Sequence, residues 1–422
     1  MLAVTAATTD PDDPLAGLVV GDRPAPEAPD GWPVVTVRAA ALNHHDLWTL
    51  RGVGIRQERL PIVLGCDAAG VDQDGNEVIV HAVVASPGWS GDETLDPRRS
   101  LLSEVYDGTL AEQVAVPAGN VVPKPPGLSF EEAACLPTAW LTAYRMLFTN
   151  SGAQPGGTVL VQGAGGGVDT ALIVLGRAAG FRVWVTSRSE EKRAQALALG
   201  ASEAFESGAR LPDRVDAVME TVGAATWSHS LRSLRPGGTL VVSGATSGSD
   251  PSADLNRAIA VAERDGPDAG LPLIDALELD GYHLFHAPRA ELLARLGRRT
   301  EAVEAFDSGA RLPDKVDAVM ETVGAATWSH SLRALRPGGT LVVSGATSGP
   351  DPSADLNRVF FLQLRVVGST MGTRHELARL AALCEVTGVR PVIDTVLPLA
   401  DARRGFERMA SGDLFGKVVF TV

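Results

Sequence analysis

Residues 156–180 read GGTVLVQGAGGGVDTALIVLGRAAG. The apolar run Val159-Leu160-Val161 is short and β-branched, the pattern of a strand buried on both faces of a parallel sheet. Glycines stand at 163, 165, 166 and 167, and Val168 with Ala171-Leu172-Ile173-Val174-Leu175 runs on into a helical pattern that stops at Gly180. A glycine-lined turn between strand and helix has no Cβ in the way. A diphosphate can therefore approach backbone N–H groups at the positive end of the helix. A glycine-rich loop alone is equally compatible with a plain β-α turn. Here a second strand, FRVWVT at 181–186, follows at the spacing a βαβ unit requires, which points to a nucleotide-binding Rossmann unit.

Working outward, the 422 residues suffice for two domains or more, and 45% hydrophobic with 21% charged residues is an ordinary globular composition. The net charge of -14 argues against a nucleic-acid surface, which needs a basic face. Cys66, Cys135 and Cys384 lie far apart with no CxxC pair, which excludes a disulfide framework and a four-cysteine zinc lobe. No secretory leader is read at Met1-Leu2-Ala3, and no apolar run reaches spanning length, so the expectation is a cytoplasmic protein with no membrane partner.

Residues 1 to about 125 alternate short β-branched runs (Leu18-Val19-Val20, Val34-Val35-Thr36-Val37, Val78-Ile79-Val80, Val114-Ala115-Val116) with Gly, Pro and Asp, the pattern of a β-rich domain. Residues 131–148, EEAACLPTAWLTAYRMLF, are helical in pattern, with Ser129 and Glu132 as a capping box in front.

Residues 203–257 recur as residues 304–358, and only four positions differ: Glu206 against Asp307, Arg214 against Lys315, Ser233 against Ala334, and Ser249 against Pro350. Solenoid repeats come in threes or more and diverge, so a duplication explains this pair better. Each copy encodes the same β-α-β piece: a strand (215–220 or 316–321), a helix ending at Arg-Pro-Gly-Gly, and a strand (239–243 or 340–344). One nucleotide-binding sheet has room for one such piece. The second copy is expected to complete it, because Ala334 suits a helix better than Ser233 and its exit into VFFLQLRVVGS is unbroken. Between the copies, residues 258–303 read as a helical hairpin. Their spacing resembles a tetratricopeptide-type helix pair, similar to the C-terminal helical extension of one group of bacterial sigma factors, without any DNA-reading part.

Outside that insert the chain resembles the medium-chain dehydrogenase/reductase superfamily, in its zinc-free quinone oxidoreductase and enoyl-reductase-like branch. The matching words are ALNHHDLWTLRG (41–52), LPIVLGCDAAGV (60–71), residues 107–147, the glycine loop, TSRSEEKRAQALALGAS (186–202), RPGGTLVVSGATSG and RVVGSTMGT (365–373). The resemblance implies a GroES-like catalytic domain over 1–125, completed by 392–422, and a doubly wound parallel Rossmann domain over 126–391, interrupted by the insert at 258–303. It further implies a nicotinamide cofactor, a small-molecule substrate, and often a homodimer joined through the Rossmann sheet edge.

Zinc-type relatives carry a catalytic Cys, a His and a third ligand where this chain has Asn43, Cys66 and Thr138, so no catalytic zinc is expected. His44 and His45 with Cys66 and Asp67 are the alternative metal set; hydrogen-bonded histidines and a buried cysteine are the structural reading of the same residues. By resemblance Asn43 and Thr138 line the nicotinamide end of the cleft with His44 near. Gly163, Ala164, Gly165, Gly166, Gly167 and Val168 hold the diphosphate, while Thr322, Ser344, Gly345, Ala346, Thr370 and Met371 approach the cofactor.

After the second strand stand Ser187, Arg188 and Lys192 rather than an acidic residue. Cations and hydroxyls suit a 2′-phosphate, which favours NADP over NAD; a solvated helix start is the plainer reading. Asp169, where relatives have a small residue, is expected to weaken the cofactor by repulsion. The function expected is hydride transfer from NADPH to a quinone or α,β-unsaturated carbonyl without zinc. The alternatives are a zinc-type alcohol dehydrogenase and an inactive fusion whose helical insert binds a partner.

Overall fold

A computed structural model describes residues 1–244, 315–321, 328–343, 365–368 and 371–422. The chain divides into two compact units, one of residues 1–221, 241–243 and 367–422, the other of 222–240 and 244–366.

The first unit begins β-rich. Strand Val34–Ala41 pairs antiparallel with Asp67–Val71, which pairs with Glu77–Val80, which pairs in turn with Val121–Pro123. Lys417–Thr421 adds to Val34–Ala41 with Val419 opposite Ala41, and Ile393–Pro398 adds to Lys417–Thr421. The end of the chain thus returns to the N-terminal sheet. Alternation along these strands sends Val35, Val37, Val418 and Phe420 inward, where they meet Leu42, Leu64, Leu102 and Phe406. Each such side chain contributes roughly 1.5–3 kcal/mol by leaving water.

The capping box forms: Ser129 N–H donates to the Glu132 carboxylate at 2.9 Å and Glu132 N–H donates to Ser129 Oγ at 3.2 Å. The helix it opens, Phe130–Ala134, is not regular to its end. Wide turns at Leu136–Trp140 and Arg145–Asn150 correct the single helix expected over 131–148. Pro137, which has no N–H to donate, sits in the first of them. Arg145, in the second, pairs with Asp92 and, at 3.2 Å, with Glu376.

Strand Thr158–Gln162 pairs in parallel with Arg182–Thr186 on one side and Val215–Glu220 on the other, and Arg182–Thr186 pairs with Glu203–Phe205. With Leu234–Val242 and Arg365–Gly368 the sheet's strands, counted along the chain, lie in the order 3-2-1-4-5-6. This is the doubly wound order, which reverses beside Thr158–Gln162. Helix Gly167–Ala178 buries Ala171, Leu172, Ile173 and Leu175. It approaches the sheet closely at Gly176, where a Cβ would lie 2.6 Å from Val183 Cγ2.

The strands of the first copy, Val215–Glu220 and Leu234–Val242, belong to this sheet, whereas those of the second, Val316–Glu321 and Leu335–Val343, form a separate two-stranded parallel sheet. The expectation that the second copy completes the sheet is therefore corrected. A helix-propensity difference of a few tenths of a kcal/mol between Ser233 and Ala334 is outweighed by connectivity. Val215–Glu220 of the first copy follows Glu203–Phe205 directly, while the strand of the second would close a loop longer by a whole repeat. Asp216 Oδ2 also accepts Thr158 N–H at 2.7 Å, clamping the first copy's strand to its neighbour. Strand Leu234–Val242 starts before the expected residue 239 and takes in the Arg-Pro-Gly-Gly turn. The helical insert at 258–303 lies outside the described residues.

Candidate active site

The glycine turn leaves strand Thr158–Gln162 through Gly163, whose φ of +127° only glycine adopts without strain. Helix Gly167–Ala178 follows. Asp169, in the first helical turn, folds back into the bend. Gly166 N–H donates to its Oδ2 at 3.0 Å and Thr221 Oγ1–H donates to Oδ1 at 3.3 Å. Burial pushes the Asp169 carboxyl above the usual carboxylate range, against the opposing pull of Gly166, Thr221 and the Gly165 amide. An internal anion thus occupies part of the amide cradle. The N–H groups of Gly167 and Val168, the first of the helix, have no partner among the described residues.

Of the other residues expected at the cofactor, Arg188 is exposed, Ser187 Oγ accepts Ser189 N–H at 3.2 Å, and Lys192 Nζ donates to Gly412 O at 2.7 Å. Lys192 is thereby engaged by a carbonyl that a phosphate would have to replace. Met371, with φ of +32°, packs against Cys66, Ala82 and Val83. Thr322, Ser344, Gly345, Ala346 and Thr370 lie outside the described residues.

The structure gathers a polar cluster around Asn43. Lys417, at the start of the last strand, is 3% exposed along its side chain. Its Nζ donates to Leu42 O at 2.7 Å, Asn43 Oδ1 at 2.6 Å and Asp67 Oδ2 at 3.1 Å. Asp46 ties the two loops of the cluster together, since its carboxylate accepts Asn43 N–H and Gly65 N–H, both at 2.8 Å. Burial outweighs those two bonds and pushes Asp46 up to about 7.

His44 sits at the exposed rim; desolvation of its ring and then the charges of Lys417 and Arg51 hold it below the usual imidazole range. Burial does the same to His45, opposed by Glu104 and Asp67. Buried atoms without a partner remain at His45 Nε2, Asp67 Oδ1 and Thr138 Oγ1. Such orphans are costly in an interior unless a ligand completes them.

Two residues of this centre escape a reading of the sequence. Lys417 carries one signal, a cation at the head of the otherwise apolar strand KVVFT. His81 carries none; it is buried, and its Nε2 lies 2.9 Å from Gly372 O, fixing the segment beside Met371.

Comparison with known proteins bears on this arrangement. Residues 29–126 match the alcohol dehydrogenase GroES-like domain, and residues 153–265 and 296–420 match two families described as zinc-binding dehydrogenase. The zinc-type alcohol dehydrogenase-like protein YogA of Leptosphaeria maculans is 31% identical over 262 residues, 55% of this chain and 73% of that one. The acryloyl-coenzyme A reductase of Sulfurisphaera tokodaii is 30% identical over 58% of this chain and 77% of its own. The chain belongs to the medium-chain dehydrogenase/reductase superfamily. The quinone oxidoreductase of Lama guanicoe is also similar, at 30% identity over 50% of this chain and 63% of its own. A solved NAD-dependent alcohol dehydrogenase superposes with a TM-score of 0.68 at 27% identity, over the whole of both chains. Membership in this superfamily implies a nicotinamide cofactor and makes the chain an oxidoreductase.

The residues at the superfamily's metal position do not fit zinc. Asn43 is a neutral amide, and its Oδ1 accepts a hydrogen bond from the Lys417 ammonium. Cys66 Sγ donates to Leu102 O at 3.3 Å, a partner it would have to give up to face a metal, and burial raises its thiol well above the usual range. No group of three metal-binding side chains stands together among the described residues. No helix among them is long and apolar enough to cross a membrane.

The glycine turn does fit a dinucleotide in its strand–turn–helix geometry and in the open Gly167 and Val168 amides. Within the described turn, the Asp169 carboxylate opposes an incoming diphosphate.

Proposed function

We propose that this chain is an NADPH-dependent reductase of quinones or α,β-unsaturated carbonyl compounds that works without zinc. The observation carrying the reading is the ammonium of Lys417, which donates to Asn43 Oδ1 and Asp67 Oδ2 and so occupies the side-chain oxygens a metal would need there. The printed names of relatives, quinone oxidoreductase and acryloyl-coenzyme A reductase, support the acceptor class. A reduced nicotinamide held at this turn would supply the hydride, with its electron pair, that the electron-poor acceptor carbon takes up.

The chain's own groups orient that transfer and stabilise the charge that grows on the acceptor oxygen. The Asn43 amide and the unpartnered Thr138 hydroxyl supply hydrogen bonds there. The completing proton comes from solvent, directly or relayed by way of the exposed His44. The amides of Gly167 and Val168 hold the diphosphate, and Ser187 with Arg188 favours a 2′-phosphate.

NADPH fluorescence titration, then a quinone and enone panel with metal analysis, tests the reading. NADPH-dependent reduction by metal-free protein is expected. Stoichiometric zinc with alcohol oxidation would instead establish the reading favoured by the name of the YogA relative. Absence of NADPH binding would instead favour the inactive fusion whose helical insert binds a partner.

A further inference from the structure

We infer that Lys417 is a positioning residue of the reduction, holding Asn43 Oδ1 so that the Asn43 amide nitrogen is presented as the hydrogen-bond donor to the acceptor oxygen. The inference rests on the reductase reading above and adds to it the residue that sets which end of Asn43 meets the substrate.

An ammonium carries three donors and no acceptor. All three are used by Leu42 O, Asn43 Oδ1 and Asp67 Oδ2, at 2.7, 2.6 and 3.1 Å. Lys417 therefore has no hydrogen left for a substrate, and it acts through its neighbour. The same count fixes the Asn43 amide. Turned the other way, its NH₂ would face an NH₃⁺, donor against donor. With Oδ1 held, Nδ2 is left with one long contact, to Ala41 O at 3.4 Å, and is the free donor of the pair. A cation on the oxygen also draws electron density from the amide nitrogen and strengthens its N–H groups as donors.

The lysine is itself anchored. Its backbone N–H donates to Val392 O at 2.9 Å, and Leu42 N–H donates to Val418 O at 2.9 Å. Its stem crosses the glycine turn, where a Cβ on Gly167 would lie 2.8 Å from Lys417 Cδ. One side chain thus spans from the cofactor turn to the residue that meets the acceptor. Asp67, 0% exposed along its side chain, supplies the countercharge that keeps the ammonium in place.

The test uses the full chain with asparagine labelled by nitrogen-15. Six asparagines are present, at 43, 76, 120, 150, 256 and 357, so six side-chain amide pairs are read by NMR, and Asn43→Ala identifies the one of interest. Lys417→Met is compared with the double variant Lys417→Met/Asp67→Leu, which adds no asparagine. The double variant removes the ammonium without stranding a buried carboxylate and so covers the case in which the single variant misfolds.

The Asn43 amide pair is expected to move in both variants. In steady-state reduction kcat is expected to fall about 10- to 100-fold, with the NADPH dissociation constant changed less than about twofold. In the Asn43→Ala background the same lysine substitution is expected to change kcat by less than about twofold, because the two residues act as a unit. An Asn43 signal that stays in place, or losses that multiply in the combined variants, would overturn the inference. If the parent chain reduced no acceptor, the reductase reading would fall by itself, while the NMR comparison would still decide whether Lys417 sets Asn43.

Discussion

Met219 and Met320 occupy the same position of a repeated sequence, yet Met219 is 0% exposed and Met320 is 67% exposed. The residue and its neighbours in the strand are identical, so the difference comes from what each strand is paired with. Met219 lies in Val215–Glu220, with Thr158–Gln162 alongside it and its own register partner at Val161. Met320 lies in Val316–Glu321, paired only with Leu335–Val343 among the described residues.

Truncating the two methionines should separate the copies. Met219→Ala removes buried methylenes from a filled core and is expected to cost about 2–5 kcal/mol. Met320→Ala, on exposed surface, should stay within about 0.5 kcal/mol. Urea denaturation of the two variants measures the difference, and the reverse ranking would show that the second copy fills the sheet.

Replacing Asp169 by alanine frees the Gly166 amide and removes a negative charge from the diphosphate's place. The expected result is tighter NADPH binding, by about tenfold, equivalent to about 1.4 kcal/mol. Because the carboxyl titrates above its usual range, lowering the pH neutralises it and should tighten NADPH binding to the parent protein. The alanine variant should lose that part of the pH dependence. Fluorescence titration across pH reads both, and an affinity unchanged by the substitution would count against repulsion.

Asp46 makes a prediction about stability. Its carboxyl stands at about 7 in the folded chain against an ordinary value of 3.8, so between those values the folded state binds a proton that the unfolded state has released. Stability from this group is complete below about pH 4 and is lost as pH rises towards 7, over a range of roughly 4 kcal/mol. Asp46→Asn, which cannot ionise, should flatten that part of the curve. Denaturation midpoints at a series of pH values check it, and an equal slope in both proteins would contradict the assignment.

Much of the first unit was legible residue by residue. The glycine loop between two apolar runs announces a strand, a turn and a helix, because period and glycine placement are local properties. Ser129 and Glu132 announce a cap for the same reason. Asn43 and Thr138 were named from the resemblance, and the structure leaves Thr138 Oγ1 among the buried orphans and Asn43 bonded to Lys417.

Lys417 was illegible, since nothing in its neighbours in sequence says that it reaches a residue 374 positions away. Likewise, no local feature of Asp169 says whether its carboxylate turns outward or back onto Gly166.

By itself, then, the order of residues determined most strand and helix types, the glycine turn and the repeat, which follow from patterns along the chain, while the class of chemistry was implied by resemblance to a family. Two things were decided only by tertiary structure: the copy that enters the sheet, and the partners of the Asn43 amide. Both depend on which distant segments meet. Two nearly identical segments are distinguished by connectivity and strand pairing, and a buried ammonium takes whatever acceptors the folded chain brings within reach.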